Sequence, residues 1–180
     1  MRIQLSAISH QPAAKSRGFT LIETIMVMVI IAILAVVVVV RNPFDAIKLR
    51  SAARKVAGDI RYVQKLAISN QTRAGMAFNA NGYSVYRDMT VAAPYPAAVS
   101  PGDPCSTDPL NNFIVDFNDP RCSNYSGVTI APPFITIAFN SLGSPVNAAG
   151  VAIGPETVTV TYNGSQTITI AAGTGRVSIP

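Results

Sequence analysis

The sequence contains no tryptophan, one histidine and two cysteines in 180 residues. Charged side chains make up 13% of the chain, about half of the roughly 25% that is usual in globular domains. His10 is the only imidazole, and neither a glycine-rich phosphate loop nor a G-x-S-x-G motif occurs. The chain therefore lacks the usual means of general-base catalysis and zinc binding. We expect a protein that is not an enzyme and needs no cofactor.

The apolar content indicates the broad class of the protein. Hydrophobic residues make up 49% of the chain, and the mean hydropathy is +0.33. The chain is too apolar for disorder and too polar for several membrane spans. Its length suffices for one domain with an appendage. These values favour a protein that contacts a membrane without lying wholly inside it.

The charges are distributed unevenly along the chain. Residues 1–18 carry three cations and no acid, residues 41–74 carry eight cations and two acids, and the chain beyond Gly75 carries three cations and six acids. A basic chain can indicate nucleic-acid binding. Here the excess flanks an apolar segment, where positive charge commonly sets membrane orientation. We therefore favour a membrane contact over a nucleic-acid partner.

An apolar run extends from Phe19 to Val40, and its one charged residue is Glu23. A helix over this run would be about 33 Å long, enough to cross a hydrocarbon core of about 30 Å. Because three cations precede the run, the N-terminus should stay in the cytoplasm and the chain after Arg41 should be exported. A cleaved secretory signal is the alternative, although the run is long and lacks a clear A-x-A exit.

The residues at the start of this run form a motif. Residues 15–23 read Lys-Ser-Arg-Gly-Phe-Thr-Leu-Ile-Glu. This segment resembles the class III signal of type IV pilins and type II secretion pseudopilins, and an ordinary signal anchor is the alternative. The resemblance implies that a prepilin peptidase cuts between Gly18 and Phe19 and N-methylates Phe19. Residues 1–18, with His10 among them, would be removed as a leader.

Glu23 would be near the start of the mature chain, at a depth where an unpaired carboxylate is costly. Cleavage would create a positive α-amino group on Phe19, and the Glu23 carboxylate of a staggered neighbour could pair with it. Phe19 and Glu23 are therefore the predicted assembly residues. The alternative is that Glu23 snorkels to the membrane surface.

Past the apolar run, the pattern changes to one apolar face. Apolar residues recur at spacings of three and four: Ala46, Leu49, Ala53, Val56, Ile60, Val63 and Ala67. This period predicts an amphipathic helix over residues 41–72 that packs on a folded domain. Pro43 lacks an N–H and restrains Asn42, so we expect an interruption or kink there. The basic face is either a solvated surface or a contact for acidic lipid.

From residue 73 onward the period falls to two, which predicts a β-rich head. Two runs flank Ala80-Asn81-Gly82 and predict a hairpin, and alternation continues over residues 135–139 and 158–179. Asn163-Gly164 is a strong turn signal, which predicts that the last part of the chain is a three-stranded meander. The expected strands before the meander are Ala74–Asn79, Tyr83–Arg87, Phe113–Phe117 and Val128–Ala131.

The stretch from Val91 to Asn124 is rich in proline and aspartate, which predicts mostly loop. It contains Cys105 and Cys122. In an oxidising compartment such a pair is expected to form a disulfide, with two free thiols as the alternative. Four aspartates raise the possibility of calcium: Asp103, Asp108, Asp116 and Asp119. Their spacing matches no calcium loop, and we expect no metal site.

Two short segments near the end of the chain refine the resemblance. Residues 139–145 read Phe-Asn-Ser-Leu-Gly-Ser-Pro and are similar to a turn of H-type minor pseudopilins, FimT-like minor pilins and MSHA-type pilins. Residues 174–177 resemble their terminal hairpin. Some FimT-like pilins bind DNA through Gly-Arg-x-Arg, whereas residues 175–178 here read Gly-Arg-Val-Ser. Arg176 alone is a poor contact for phosphate.

The expected fold is α+β and pilin-like. A long N-terminal helix, with a transmembrane half at 19–40 and an amphipathic half at 41–72, packs on an antiparallel β-rich head at 73–180 that contains the disulfide loop 105–122. The resemblance implies a structural subunit, of the minor kind, of a type IV pilus or a type II secretion pseudopilus. Before assembly it would be held in the bacterial inner membrane with its head in the periplasm.

The resemblance also implies the partners of such a subunit. They are the prepilin peptidase, other pilin subunits, an inner-membrane assembly platform with its ATPase, and membrane lipid. Two alternatives stay open: a major pilin of the filament shaft, and a DNA-binding minor pilin for natural transformation.

Overall fold

The computed structural model describes residues 19–40, 43–106, 108, 110–132 and 135–180. The predicted leader with Gly18, and also Arg41 and Asn42, lie outside these residues. The chain separates into two compact units, Met1–Asn42 and Pro43–Pro180. The first unit contains helix α1, Leu21–Val40, and the second contains helix α2, Pro43–Asn70, together with the strands.

Helix α1 is apolar on all sides. Its one charged residue, Glu23, lies in the first turn, and the side chains from Phe19 to Ala35 are exposed in the single chain. A helix that is apolar all round is normally covered by something else. Among the residues that the structure describes, neither helix is both long and apolar enough to cross a membrane.

Helix α2 runs for 28 residues and turns one apolar face towards the head. Pro43 occupies the first helical position, where a missing N–H costs nothing. The buried face consists of residues at helical spacing: Leu49, Ala52, Ala53, Val56, Ala57, Ile60, Val63 and Ala67. The predicted apolar stripe is confirmed except at Ala46, which is exposed because the packed face begins about one turn later.

The C-terminal end of α2 is closed by a Schellman motif. The N–H of Thr72 donates to the carbonyl of Ala67 at 3.2 Å, and that of Gln71 donates to the carbonyl of Ile68 at 3.3 Å. Gln71 takes the left-handed conformation that this motif requires, with φ 52°. The last carbonyls of the helix are thereby satisfied, and the chain turns directly into the first strand.

In the described part of the chain, nine strands form two antiparallel sheets. The first sheet contains β1 (Ala74–Asn79), β2 (Gly82–Tyr86), β3 (Ile114–Asp116), β5 (Thr136–Phe139) and β6 (Pro145–Val146), in the order β3-β2-β1-β5-β6. The second contains β4 (Thr129–Ala131), β7 (Glu156–Thr161), β8 (Ser165–Ile170) and β9 (Val177–Ser178), in the order β4-β7-β8-β9. A 3₁₀ helix, Pro120–Tyr125, precedes β4.

The predicted α+β fold, a helix packed on antiparallel sheets, is confirmed. The first hairpin pairs Asn79 with Gly82. The β7–β8 hairpin pairs Thr161 with Ser165 around the Asn-Gly turn, and β9 then pairs with β8 as the third strand of the meander. The sequence does not predict β6 or the 3₁₀ helix, because both are short and lie in proline-containing segments without a clear period.

Helix α2 and the two sheets share one hydrophobic core. Aromatic rings meet edge to face in this core, with centroid distances of 5.7 Å for Tyr62–Phe113 and 6.1 Å for Tyr83–Phe117. Such contacts add to the energy of apolar burial. Because the inner face of α2 is used in this way, its outer face is the part left for contacts beyond the chain.

Candidate functional site

Thr20 caps the beginning of α1. Its hydroxyl oxygen accepts a hydrogen bond from the backbone N–H of Glu23 at 3.3 Å, and its carbonyl accepts one from the N–H of Thr24 at 3.2 Å. Thr20 and Glu23 therefore occupy the first and last positions of the T-x-x-E pattern of a capping box. The sequence contains this pattern, but the cleavage motif alone does not indicate that Thr20 caps the helix.

The beginning of α1 also favours a negative charge. The N-terminal turn of a helix carries a partial positive charge, and Glu23 lies in that turn. Phe19 is 80% exposed and comes directly before the cap. The structure thus places Phe19 and Glu23, the predicted assembly residues, at the same end of an exposed apolar helix. Gly18, the other residue of the predicted cleavage site, lies outside the described residues.

A second group of charged residues joins α2 to the disulfide loop. The ammonium of Lys55 contacts Asp59 at 3.1 Å and also donates to Asp103, while the hydroxyl of Tyr83 donates to Asp59. The charged side chains are at most 17% exposed. One cation is therefore buried between two carboxylates that come from distant parts of the chain.

Burial controls the protonation of this group. It raises the pKa of Asp59, against the opposing effects of Lys55 and of the hydrogen bond from Tyr83. Burial and the neighbouring Asp59 also raise the pKa of Tyr83 well above its usual value, which keeps the phenol protonated and able to donate. Lys55 is thus the group that makes the ionised form of Asp59 tolerable.

The exposed carboxylates of Asp88 and Asp119 behave in the opposite way. Hydrogen bonds from Thr90 lower the pKa of Asp88, and hydrogen bonds from Arg121 lower that of Asp119. Each of these two carboxylates stabilises the fold at a pH above its pKa in the unfolded chain. The contribution is lost as the pH falls through the pKa of the same group in the folded chain.

Asp59 should give a pH dependence of the opposite sign. Because the pKa of Asp59 is higher in the folded chain than in the unfolded chain, its protonation favours the fold at a pH below the unfolded pKa. This contribution is lost as the pH rises through the pKa of Asp59 in the folded chain. We expect the stability of the wild type, relative to Asp59→Asn, to fall as the pH rises through the acidic range. Denaturation of both full-length proteins in detergent at several pH values measures this difference. A difference independent of pH would contradict the burial argument.

The predicted disulfide is present in the structure. It joins Cys105 and Cys122, whose Cα atoms are 4.9 Å apart, and both residues are buried in the core cluster. The N–H of Cys105 donates to Asp103 at 2.8 Å, so the disulfide and the Lys55 group are connected. The disulfide attaches the long loop between β2 and β3 to the 3₁₀ helix, and the pair of Lys55 and Asp103 attaches the same loop to α2.

Replacing both cysteines by serine should destabilise the head. A disulfide across this sequence separation of 17 residues stabilises by about 3 kcal/mol in the loop-entropy description. Urea denaturation of the full chain in detergent, with and without reductant, measures this difference. If reduction changed the free energy of unfolding by less than about 0.5 kcal/mol, the disulfide would not restrict the unfolded chain as this description requires.

The other aspartates of the loop close local turns. Asp108 accepts from the N–H of Leu110, and Asp116 accepts from the N–H of Asn118, each at 2.8 Å. Asp119 begins the 3₁₀ helix by accepting from the N–H of Arg121. Among the described residues, no group of three or more His, Cys, Asp or Glu side chains is arranged to hold a metal ion.

Gln64 connects α2 to two segments near the end of the chain, residues 139–145 and 174–177. Its side-chain N–H groups donate to the carbonyls of Gly143 at 2.7 Å and Thr174 at 3.1 Å. Sequence reasoning misses Gln64, because its partners are far away in the chain. Arg176 follows the second of these segments and is exposed; its backbone N–H donates to the hydroxyl of Thr174.

Residues 13–39 match the family model described as the prokaryotic N-terminal methylation motif. The chain therefore carries the N-terminal methylation motif. The matched residues include both sides of the predicted cleavage site, Gly18 and Phe19, and also Glu23. The motif thus coincides with the capped, apolar beginning of α1.

Known proteins resemble this chain over longer stretches. It is 34% identical over 89 residues to the competence protein ComGD of Bacillus subtilis strain 168, a match that spans 48% of this chain and 62% of that protein. Two crystal structures of the type IV minor pilin FimU of Pseudomonas aeruginosa PAO1 are also similar, each with 16% identity and a TM-score of 0.46. They cover 73% and 76% of this chain and 92% and 90% of theirs.

Proposed function

We propose that this pilin-like chain is a structural subunit of a type IV pilus or a related pseudopilus. The observation that carries the proposal is the methylation motif at 13–39, which ends in a helix whose described side chains are exposed and almost entirely apolar. A soluble protein would not leave such a helix uncovered. Membrane lipid covers it before assembly, and the corresponding helices of neighbouring subunits cover it in the filament.

Processing prepares the chain for this role. The prepilin peptidase cuts between Gly18 and Phe19 and methylates Phe19, and the new α-amino group lies beside the first turn of α1. The Glu23 carboxylate of one subunit then pairs with the amine of its neighbour. Each charge is expensive to bury alone and tolerable when paired, so the pair determines the register of an otherwise uniform apolar contact.

The remaining proposed partners act on the subunit as it passes from the inner membrane into the filament. Residues 19–40 hold the chain in the inner membrane with the head in the periplasm, and an assembly platform extracts it into the filament. The energy comes from the ATPase of that platform. The minor role is favoured over the major one by the turn at residues 139–145 and the terminal hairpin, both similar to segments of minor subunits.

The composition of sheared filaments tests this proposal. We expect the chain in the filament fraction of cells that contain the peptidase and the platform ATPase, at a small fraction of the amount of the main subunit. Its absence from filaments that form normally in the same cells would overturn the proposal. A share equal to or above that of every other pilin would reassign the chain as the shaft subunit.

The name of the Bacillus relative favours a DNA-uptake filament as a second candidate. That relative is a competence protein, and the corresponding filament for this chain is one that takes up DNA without direct contact between Arg176 and DNA. In that case, deletion of the chain should abolish transformation, whereas Arg176→Ala should transform normally. Normal transformation of the deletion strain would exclude this machine.

A further inference from the structure

Two arginines without counter-ions lie on the outer face of α2. Arg50 and Arg54 are exposed and are neighbours one turn apart on the same side of the helix. Neither guanidinium has an ion pair or a hydrogen bond with another residue in the described part of the chain. Both therefore keep their side-chain donors for something outside the chain.

The two acids of α2 lie away from these arginines. Asp45 and Asp59 are each five residues from one arginine and nine from the other, which places them about 140° or more from both around the helix. Each acid is also held by another side chain. Asp45 accepts a hydrogen bond from Asn163 at 3.0 Å, and Asp59 accepts one from Lys55 at 3.1 Å. No carboxylate of α2 therefore neutralises the two arginines.

The arginines open into a cleft of about 340 Å³ between α2, β8 and the residues that follow β9. Gln166 of β8, Ile179 and Pro180 form the rest of its lining. The side-chain amide of Gln166 donates to the carbonyl of Pro180 at 3.1 Å, and its second N–H has no acceptor among the described residues. The volume lies at the lower end of the range for small-molecule sites. The cleft combines cationic and amide donors with apolar side chains.

The donors of the cleft suit a phosphate group. A guanidinium group can donate to two oxygens of a phosphate at once, and the pair of arginines also supplies the positive charge that such an anion needs. The same two charges would repel a quaternary ammonium group. The cleft therefore favours a phosphate ester with a net negative charge over a zwitterionic one.

Exposed apolar side chains precede the arginines on α2. Phe44 is 74% exposed and Ile47 is 62% exposed, and Ile47 lies within about 60° of both arginines around the helix. Apolar side chains beside cations on one helix face are typical of a segment at the surface of a bilayer. A soluble phosphate ester would give no reason for the two exposed apolar side chains.

We infer that the cleft binds the phosphate of an anionic phospholipid headgroup. Arg50, Arg54 and Gln166 donate to the phosphate oxygens, while Phe44 and Ile47 enter the apolar edge of the same bilayer surface. The contact thus adds the attraction of two cations for anionic lipid to the burial of apolar area.

The inference rests on the proposed function, in which residues 19–40 hold the chain in a membrane, and it adds a headgroup site on the exported part. A link of two residues, 41 and 42, keeps the beginning of α2 within reach of the bilayer surface. Nucleic acid would use the same cations, but it offers no apolar region for Phe44 and Ile47.

Photo-crosslinking in vesicles tests this site. The full chain carries a photo-reactive residue at Ser178, which is exposed and adjacent to the cleft-lining Ile179. It is reconstituted in vesicles of three parts phosphatidylcholine to one part phosphatidylglycerol, and the intact mass identifies the lipid that is attached. Relative to its amount, phosphatidylglycerol should be attached about tenfold more than phosphatidylcholine. Equal attachment of the two lipids would overturn the inference.

A pair of double variants separates the cleft from net charge. Arg50→Gln with Arg54→Gln should reduce the attached phosphatidylglycerol by about tenfold and leave the thermal stability unchanged, because glutamine favours the helix as well as arginine does. Lys65→Gln with Arg87→Gln removes the same charge from exposed positions outside the cleft and should keep the wild-type amount. Equal losses in the two double variants would overturn the cleft as the site.

Competition separates the lipid from soluble ligands of the same chemistry. Millimolar glycerol phosphate should leave the attached phosphatidylglycerol unchanged, because a lipid in the bilayer is held at a high effective concentration beside the cleft. Loss of the attached lipid in glycerol phosphate would reassign the cleft to a soluble phosphate ester. Loss in duplex DNA would reassign it to nucleic acid, and either result would overturn the inference.

The outcomes also distinguish this inference from the proposed function. A chain that enters filaments but attaches phosphatidylglycerol no better than phosphatidylcholine would overturn the inference and leave the proposed function standing. A chain that is absent from filaments but attaches phosphatidylglycerol through the two arginines would overturn the proposed function and keep the headgroup site.

Discussion

Replacing Glu23 by alanine is expected to leave export and cleavage intact and to reduce entry into filaments by more than about tenfold. Without the carboxylate, the α-amino group of a neighbouring Phe19 would be buried among apolar helices without its partner, and breaking a buried pair costs about 3 kcal/mol or more. Quantitative immunoblots of the membrane and filament fractions measure the effect. Normal entry of this variant into filaments would contradict the pairing.

The capping geometry at Thr20 provides a sharper control. If Glu23 acted only in a capping box, glutamine would replace it well, because glutamine is also suited to the last position of that pattern. If its charge pairs with an amine, Glu23→Gln should fail to assemble, as alanine does. Filament entry of the glutamine variant at the wild-type level would assign Glu23 to helix capping and remove its role in assembly.

Replacing Lys55 by methionine is expected to destabilise the head by about 3–5 kcal/mol. The change leaves Asp59 and Asp103 buried near each other without the cation that both contact, and removal of one partner of a buried ion pair has about this cost. The attachment of the disulfide loop to α2 should be lost first. Urea denaturation of the full chain, with protease sensitivity of the loop as a second readout, measures the effect.

Lys65 on the same helix is the matched control for Lys55. It is exposed and has no ion pair with the described residues, so Lys65→Met should change stability by no more than about 0.5 kcal/mol. A variant with Lys55→Met, Asp59→Asn and Asp103→Asn should recover most of the lost stability, because no charge is then left unpaired. Equal effects at Lys55 and Lys65 would contradict the buried-pair account.

The helices and hairpins of this chain follow from local sequence. The three-and-four spacing from Leu49 to Ala67 is enough to predict the buried face of α2, and Asn163-Gly164 is enough to predict the turn between β7 and β8. Both signals lie within a few residues of the structure that they produce. The same holds for the beginning of α1, where Thr20 and Glu23 interact at a separation of three residues.

The features that the sequence does not predict depend on contacts between residues far apart in the chain. Lys55 and Asp103 are 48 residues apart, and Gln64 and Thr174 are 110 apart, so no periodic pattern reveals either pair. Ala46 fits the apolar period but is exposed, because the period does not tell where the sheet surface ends. The strand order of the two sheets likewise depends on how the loops cross, which local sequence does not encode.

The most direct test of the account is the intact mass and N-terminal sequence of the protein from native membranes, with and without an active prepilin peptidase. We predict a chain that begins at N-methylated Phe19 when the peptidase is present and at Met1 when it is absent. A chain that keeps Met1 in both cases, or one cut within or after the apolar run regardless of the peptidase, would contradict the account. The assembly role of Glu23 would then be withdrawn as well.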